Sequence, residues 1–311
     1  MVDLLVKLNS LSLQDNDKLM RILRIILVFL IESNLFIALS AALITFSTQL
    51  LFHQQAGFHP YLFIIFFATF FDYNLHRLYT LHFAPEALKG ERHAWLLKNK
   101  TLFYILMFAS SAGFLISLLY AKTEVILSLI PFAAITVFYS IPFIRWKNKL
   151  IRLRDLPYLK IVLIAGNWTA ITILLPLIQY GQTVTNNELI SLILERFFFM
   201  LALCMPFDIR DIDIDRRAGL KTIPNTIGIQ NSLKLAYLSL IISMIIAYIH
   251  FSNIAEVYFG YAIIASAMIA VIAISNAKSR LNNLYLYGLI DGLILVQSAL
   301  IIAAHLIHQI Y

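Results

Sequence analysis

The chain has 311 residues, of which 60% are hydrophobic and only 13% are charged, and its mean hydropathy is +0.81. This composition excludes a soluble globular domain and indicates an integral membrane protein. The net charge of +7 does not point to a nucleic acid, because in a membrane protein the position of each Lys and Arg matters more than their sum. We therefore expect membrane lipids, and no nucleic acid, as partners.

Continuous apolar runs of about 20 residues each predict nine transmembrane helices. In chain order the runs cover roughly residues 25–50, 58–80, 101–120, 124–143, 158–179, 188–207, 234–252, 256–275 and 285–308. Polar and apolar residues do not alternate within them, so the predicted fold class is an all-α integral membrane protein. A single membrane-embedded domain is expected over residues 1–311, with residues 1–20 as an N-terminal arm.

The positive charges are segregated to one side of the predicted bundle. All but two of the 24 Lys and Arg residues lie in or directly beside the arm and the loops that follow spans two, four, six and eight, the exceptions being Lys122 and Arg196. Positive charge is retained in the cytoplasm, so the arm is expected to be cytoplasmic and the C-terminus to lie on the far side. In a bacterial cell this would be the inner, plasma membrane.

The longest connections follow spans two, four and six, and function is therefore expected on the cytoplasmic side. Residues 81–100 and 144–157 are compatible with short amphipathic surface helices, with Trp95 and Trp146 as interfacial anchors. The alternative is that both are simple loops that only set the topology.

Several polar residues fall inside the predicted spans, where burial in hydrocarbon is costly and the side chain usually faces the bundle interior. Asn34 and Asn167 either line a substrate cavity or form hydrogen bonds between helices, and the second is the more common role. Glu195 and Arg196 are adjacent and point about 100° apart on a helix, so each is expected to snorkel or to pair separately.

Four carboxylates stand at the end of the sixth apolar run. Asp208, Asp211 and Asp215 fall within about 60° of one another on a helical face, whereas Asp213 points elsewhere. Three clustered anions repel unless a cation lies between them, and Mg²⁺ binds through a few carboxylates while keeping sites for substrate phosphates. The stretch therefore predicts a magnesium and diphosphate site at the membrane surface. Its alternative is an acidic and basic loop that merely solvates a helix end.

Three stretches resemble the UbiA family of intramembrane prenyltransferases. Residues 208–215, with residues 219–224 downstream, are similar to the second aspartate-rich motif of that family. Residues 138–147, at the end of span four, are similar to its Tyr-Ser-x-Pro-Pro-x-Arg-x-Lys sequence. Residues 157–160, at the start of span five, also resemble sequences of the family. The resemblance covers nearly the whole chain and implies nine helices in a UbiA-like bundle with cytoplasmic cap loops.

The first motif of the family, Asn-Asp-x-x-Asp-x-x-x-Asp after span two, is degenerate here. Asn74 matches the family asparagine, but positions 75, 78 and 82 hold Leu, Leu and His where the aspartates fall. Asp72 precedes the asparagine and is a substitute ligand. His76 and Arg77 offer groups for direct contact with diphosphate oxygens, Arg through its planar fork.

The resemblance implies Mg²⁺ as cofactor, a polyprenyl diphosphate as donor and an aromatic acceptor such as a quinone precursor. The donor chain length and the acceptor identity stay open. The implied metal ligands are Asp208, Asp211, Asp215 and Asp72; the implied diphosphate contacts are Asn74, Arg77, Arg145, Lys147 and Lys221; the implied catalytic residues are Asp208, Asp211, Asp215, Lys221 and Tyr139.

The main rival from another class is a secondary transporter or a non-catalytic, UbiA-like protein that binds lipid or diphosphate. Transporters commonly place polar groups near the bilayer midplane. The acidic cluster of this chain is instead at the surface end of a span, which favours phosphate-ester chemistry.

Overall fold

A computed structural model describes residues 18–83, 91–146, 149–181, 184–277 and 281–310. The helices are α1 Lys18–Glu32, α2 Leu35–Leu51, α3 Pro60–Phe83, α4 Glu91–Lys98, α5 Lys100–Tyr120, α6 Thr123–Ser140, α7 Leu159–Tyr180, α8 Asn186–Arg210, α9 Ile212–Arg217, α10 Ile223–Asn253, α11 Val257–Ser275 and α12 Asp291–Ile310. A π-helical turn, Leu284–Ile290, leads directly into α12. The all-α class predicted from composition is confirmed, and the protein is an integral membrane protein.

The predicted count of nine spans is not confirmed. Among the described residues, seven helices are long and apolar enough to cross a membrane, or eight if the bent pair α1 and α2 forms one span. The first predicted span is that pair, bent by 79° at residues 33–34. The second predicted span corresponds to α3, which has 24 residues but carries polar side chains, from Asp72 to Arg77, in its second half.

The two segments predicted as cytoplasmic surface helices differ in outcome. In residues 81–100, α4 is a short helix, and Trp95 packs against Phe29 of α1 with ring centroids 6.3 Å apart. In residues 144–157 the helix prediction is wrong, because β1 (Ile144–Trp146) and β2 (Lys149–Ile151) form an antiparallel pair followed by a 3₁₀ turn, Leu153–Asp155. A β-branched and aromatic composition suits a short hairpin better than a helix.

The long helix α8 is the centre of the bundle. It packs against α7 on one side and α10 on the other, and it also contacts α11. Its buried residues, among them Phe199 and Met205, form a core with Leu240 of α10 and Ile274 of α11. Because α8 is held on several sides, its last turn, which carries Asp208, has a fixed position relative to the start of α7.

Glu195 and Arg196 both lie inside the bundle with 1% exposure, so of the two expected arrangements, snorkelling and separate pairing, the structure excludes snorkelling. Each has its own partners, as their divergent directions predict: the Arg196 guanidinium donates to Thr48 and Thr172, and Glu195 Oε1 accepts from residues of α10 and α12. The two charges are also 3.9 Å apart, from Nε to Oε2. Protein surrounds this part of α8, so neither side chain has a route to the interface.

Candidate active site

The three aspartates of the acidic motif share one face, as their spacing predicts. Asp208 lies in the last turn of α8, Asp211 joins α8 to α9, and Asp215 lies in α9. Two backbone hydrogen bonds, from Asp211 N to Phe207 O and from Asp215 N to Asp211 O, continue the helical hydrogen-bond pattern from α8 into α9. Asp208 and Asp215 are both 3% exposed, whereas Asp213 is exposed. The carboxylates of the motif therefore point into the protein and not into solvent.

These carboxylates converge on the ammonium group of Lys160. Its Nζ lies 3.0 Å from Asp208 Oδ1, 3.0 Å from Asp215 Oδ2 and 3.6 Å from Asp211 Oδ2. Lys160 is the second residue of α7, and its side chain is 7% exposed. Lys160 is not one of the predicted site residues. The resemblance of residues 157–160 to the UbiA family is the sequence signal that points to this helix start.

Asp211 has a second cation of its own. Arg210 donates from Nε to Asp211 Oδ1 at 2.8 Å and from Nη2 to Oδ2 at 3.3 Å, and its Nη1 donates to the Tyr287 hydroxyl at 2.7 Å. Burial works against ionisation of the Asp211 carboxyl, but the hydrogen bonds and charge of Arg210 outweigh it, so its pKa lies below the usual value. Asp211 is therefore an anion at neutral pH.

A second cluster contains Tyr139, the predicted cation-stabilising residue at the end of α6. The Arg154 guanidinium lies over its ring, 5.1 Å from the centroid. Nη1 of Arg154 lies 3.4 Å from Nε2 of His76, and because a guanidinium only donates, the imidazole nitrogen accepts. Nε of Arg154 is buried without a hydrogen-bond partner among the described residues. Sequence reasoning missed Arg154, since one Arg among the five basic residues between α6 and α7 has no distinguishing local pattern.

Asn74 and Arg77, predicted to contact diphosphate, are buried and bonded to the break between α1 and α2. Asn74 donates to Ser33 O at 3.0 Å and accepts from Asn34 at 2.8 Å, and Arg77 Nη1 donates to Glu32 O at 2.6 Å. These contacts give both residues a structural role, and their role toward diphosphate stays a prediction. Asp72 is not among the carboxylates that contact Lys160.

Two of the remaining predicted basic contacts, Arg145 and Lys221, lie in the described part of the chain, and both are exposed. Arg145 is exposed in β1, and Lys147 lies outside the described residues. Lys221 is exposed and lines an open cavity of about 370 Å³ together with Tyr158, Arg216 and Asn225. Its carbonyl oxygen accepts from Tyr158 N at 2.9 Å, which ties the loop after α9 to the start of α7.

The turn before Lys221 uses Gly219 as the sequence suggests. Its φ of 71° is in the left-handed region, where glycine is favoured. The turn brings Thr222 back into the protein, where its hydroxyl oxygen is buried without a hydrogen-bond partner among the described residues. A basic loop, the start of α7 and the aspartates of α8 and α9 thus form one end of the bundle.

The donor set suits a hard cation, since Mg²⁺ prefers carboxylate oxygens and keeps further positions for water and phosphate. Asp208 Oδ2 is buried without a hydrogen-bond partner in the described part of the chain. As placed, however, the described His, Cys, Asp and Glu side chains include no group of three arranged to hold a metal ion. The residues fit the ion chemically, and the point on which they converge holds the Lys160 ammonium.

Comparison with known proteins gives a family and a fold. A family profile described as the UbiA prenyltransferase family matches residues 94–286. A UbiA homologue from Archaeoglobus fulgidus bound to GPP and Mg²⁺ is 20% identical, with a TM-score of 0.56 over 86% of this chain and 99% of its own. The same homologue bound to DMAPP and Mg²⁺ is likewise 20% identical with a TM-score of 0.56, over 86% of this chain and 96% of its own.

An apo UbiA homologue from Aeropyrum pernix K1 is 14% identical, with a TM-score of 0.58 over 90% of this chain and 97% of its own. No curated protein sequence matches. At these identities the solved structures establish the fold, and the family profile, which spans more than half of the chain, establishes the membership. The chain belongs to the UbiA prenyltransferase family.

Proposed function

We propose that this protein transfers a prenyl group from a polyprenyl diphosphate to an aromatic, quinone-precursor-like acceptor within the membrane, in a Mg²⁺-dependent reaction. One observation carries the proposal: Asp208, Asp211 and Asp215 gather on one buried point at the end of α8. Membership of the family supports it, and so does the A. fulgidus homologue that binds GPP and DMAPP with Mg²⁺.

In this proposal Asp208, Asp211 and Asp215 hold the metal, with Asp72 as a further candidate ligand. Bound Mg²⁺ supplies Lewis-acid neutralisation of the diphosphate leaving group. The chain itself supplies cations around that group, from Lys221 at the cavity and from Arg145 of β1, and Lys147 stays a predicted contact outside the described residues. Such fixed charges stabilise the negative charge that grows as the bond breaks.

The bond that breaks joins the allylic carbon to the diphosphate oxygen, and its electron pair leaves with the diphosphate. The bond that forms joins the same carbon to the acceptor ring, which then loses a proton. The aromatic ring of Tyr139 is suited to the developing carbocation, because the electron-rich face of an aromatic ring attracts a cation. In this structure the Arg154 guanidinium lies over that ring. Apolar helices around the site exclude the water that would otherwise trap the cation.

The side of the membrane follows from charge. Lys and Arg concentrate in the arm and in the loops at the acidic end of α8, so we place the N-terminus and the active site in the cytoplasm. The isoprenoid tail then extends among the helices while the diphosphate faces the cytoplasm.

A second candidate function is binding of a diphosphate without turnover. It is favoured by the departures from the first family motif, since Asn74 and Arg77 are occupied in helix packing. The two candidate functions differ in their product. A protein that only binds diphosphate would bind the prenyl diphosphate donor but form no prenylated product.

The deciding experiment incubates the purified protein with labelled geranyl, farnesyl and longer diphosphates, Mg²⁺ and a panel of aromatic acceptors. We expect a prenylated product that Asp208→Ala and Asp211→Ala abolish without loss of folding. Asp213→Ala is the matched control, because its exposed carboxylate leaves the acidic cluster intact. Transfer retained in the first two variants would refute their metal role, and donor binding without product would favour the second candidate.

A further inference from the structure

The Lys160 ammonium occupies the point at which a metal ion is expected. Its Nζ is within 3.0 Å of oxygens of Asp208 and Asp215 and 3.6 Å from Asp211. A magnesium ion lies about 2.0–2.1 Å from its oxygen ligands. An ion held by these same oxygens therefore needs the space in which Nζ lies, and the two cations cannot share it.

The position of Lys160 in its helix shows what holds it there. It is the second residue of α7, and the start of a helix carries positive partial charge, which disfavours an ammonium. The side chain is also buried, which costs a charged group its hydration. Among the described residues, the three carboxylates are the anions that compensate for both effects, so a lysine that lost them would need another anion close by.

The cluster keeps an excess of negative charge even with its lysine in place. Among the described residues, the three carboxylates contact two cations, Lys160 and Arg210, and Asp211 is the carboxylate that Arg210 contacts. Exchanging the single charge of the ammonium for a divalent cation would remove that excess. The lysine stem has four flexible carbons, so the ammonium is free to turn away without a change in the backbone.

From these relationships we infer that Lys160 is the resident counter-ion of the site and exchanges with Mg²⁺. Without metal its ammonium holds the carboxylates together; when Mg²⁺ binds, it leaves them and takes the diphosphate as its new anion. Metal alone then binds weakly, and metal and diphosphate strengthen each other's binding by the same factor. The inference rests on the proposed function, and it makes Lys160 a positioning residue that sets the metal affinity.

A titration of the full-length protein in lipid nanodiscs with Mn²⁺, read by electron paramagnetic resonance and without diphosphate, tests the exchange. Lys160→Met keeps the stem but removes the competing ammonium, so we expect Mn²⁺ to bind at least about tenfold more tightly than to the wild type. Lys234→Met removes an exposed lysine of α10 and is the matched control, for which the Mn²⁺ affinity should not change. With inorganic pyrophosphate added, the wild type should gain more Mn²⁺ affinity than Lys160→Met.

Thermal unfolding provides a second readout. In EDTA the carboxylates of Lys160→Met repel one another, so its unfolding temperature should fall and recover with Mg²⁺, while that of the wild type should change little. Lys160→Arg covers the case in which Lys160→Met does not fold. It retains the charge and grips carboxylates by two nitrogens, so Mn²⁺ should bind it more weakly than the wild type.

The outcomes separate this inference from the proposed function. Equal or weaker Mn²⁺ binding by Lys160→Met, or binding to Lys160→Arg that equals or exceeds the wild type, overturns the exchange and leaves the metal site standing. If the wild type binds no Mn²⁺ even with pyrophosphate present, the exchange and the proposed metal site both fail.

Discussion

Asn34, in the break between α1 and α2, donates a hydrogen bond from Nδ2 to Oδ1 of Asn74 in α3 at 2.8 Å, and both side chains are 2% exposed. The Asn34 backbone is left-handed, with φ 69°, a conformation that asparagine tolerates better than most residues. Asn74 also donates to Ser33 O and Phe70 O. The residue expected to mark the family's first motif thus fixes the bend of the neighbouring helix pair.

Replacing Asn74 by Ala should destabilise the fold by about 1–3 kcal/mol, because it leaves the buried Asn34 amide and the Ser33 carbonyl without their partner. Asn34→Ala should cost a similar amount. In a double-mutant cycle followed by denaturation in detergent, the two losses should add up to more than the loss in the double variant. Fully additive losses would contradict the coupling of these side chains.

Arg154 should contribute to diphosphate affinity, because its guanidinium lies beside Tyr139 and His76 and its Nε is buried without a hydrogen-bond partner in the described chain. Arg154→Gln should weaken binding of pyrophosphate with Mg²⁺ about tenfold or more, the usual worth of one charged hydrogen bond. Arg154→Lys keeps the charge but loses the planar contact with Tyr139, so its pyrophosphate affinity should lie between that of the wild type and that of Arg154→Gln. Calorimetric titration measures the pyrophosphate affinity of each variant. An unchanged affinity in Arg154→Gln would show that Arg154 contributes to packing and not to diphosphate binding.

Removing one member of the buried pair Glu195 and Arg196 should destabilise the protein more than replacing both residues. Arg196→Leu leaves the Glu195 carboxylate uncompensated in the bundle, so we expect a loss of about 3–5 kcal/mol. The double variant Glu195→Leu with Arg196→Leu leaves no buried charge and should unfold at a higher denaturant concentration than Arg196→Leu alone. A double variant less stable than the single one would show that the surrounding hydrogen bonds, and not charge balance, dominate.

The stability that Asp155 contributes should be lost in acid. Burial raises the pKa of its carboxyl, but hydrogen bonds from the Arg152 backbone and guanidinium outweigh this and hold the pKa below its ordinary value of 3.8. A group with a lowered folded pKa stabilises the protein above its unfolded pKa and stops doing so as the pH falls through the folded value. The wild type should therefore exceed Asp155→Asn in unfolding temperature at pH 7, and the difference should shrink below about pH 4. A difference as large at pH 3 as at pH 7 would contradict this.

Local pattern was enough for the membrane class and for the geometry of the acidic motif. Helical periodicity places Asp208, Asp211 and Asp215 on one face and Asp213 on another, and this depends only on neighbours in sequence. The helix prediction for residues 144–157 is wrong because this segment lacks such a local pattern. A short segment of mixed charge and apolar residues has no strong period, so periodicity alone does not distinguish a hairpin from a helix, and the β-branched and aromatic composition is the remaining local signal for the hairpin.

The sequence by itself therefore determined an all-α membrane protein with a carboxylate cluster at one helix end, because hydropathy and the 3.6-residue period are properties of contiguous residues. Only the tertiary structure decided which cation lies between those carboxylates, since Lys160 is 55 residues from Asp215 and reaches it through the packing of α7 against α8. The same holds for Arg154 and His76, which are 78 residues apart. Contacts of this kind depend on how helices pack side by side, and no local pattern encodes that arrangement.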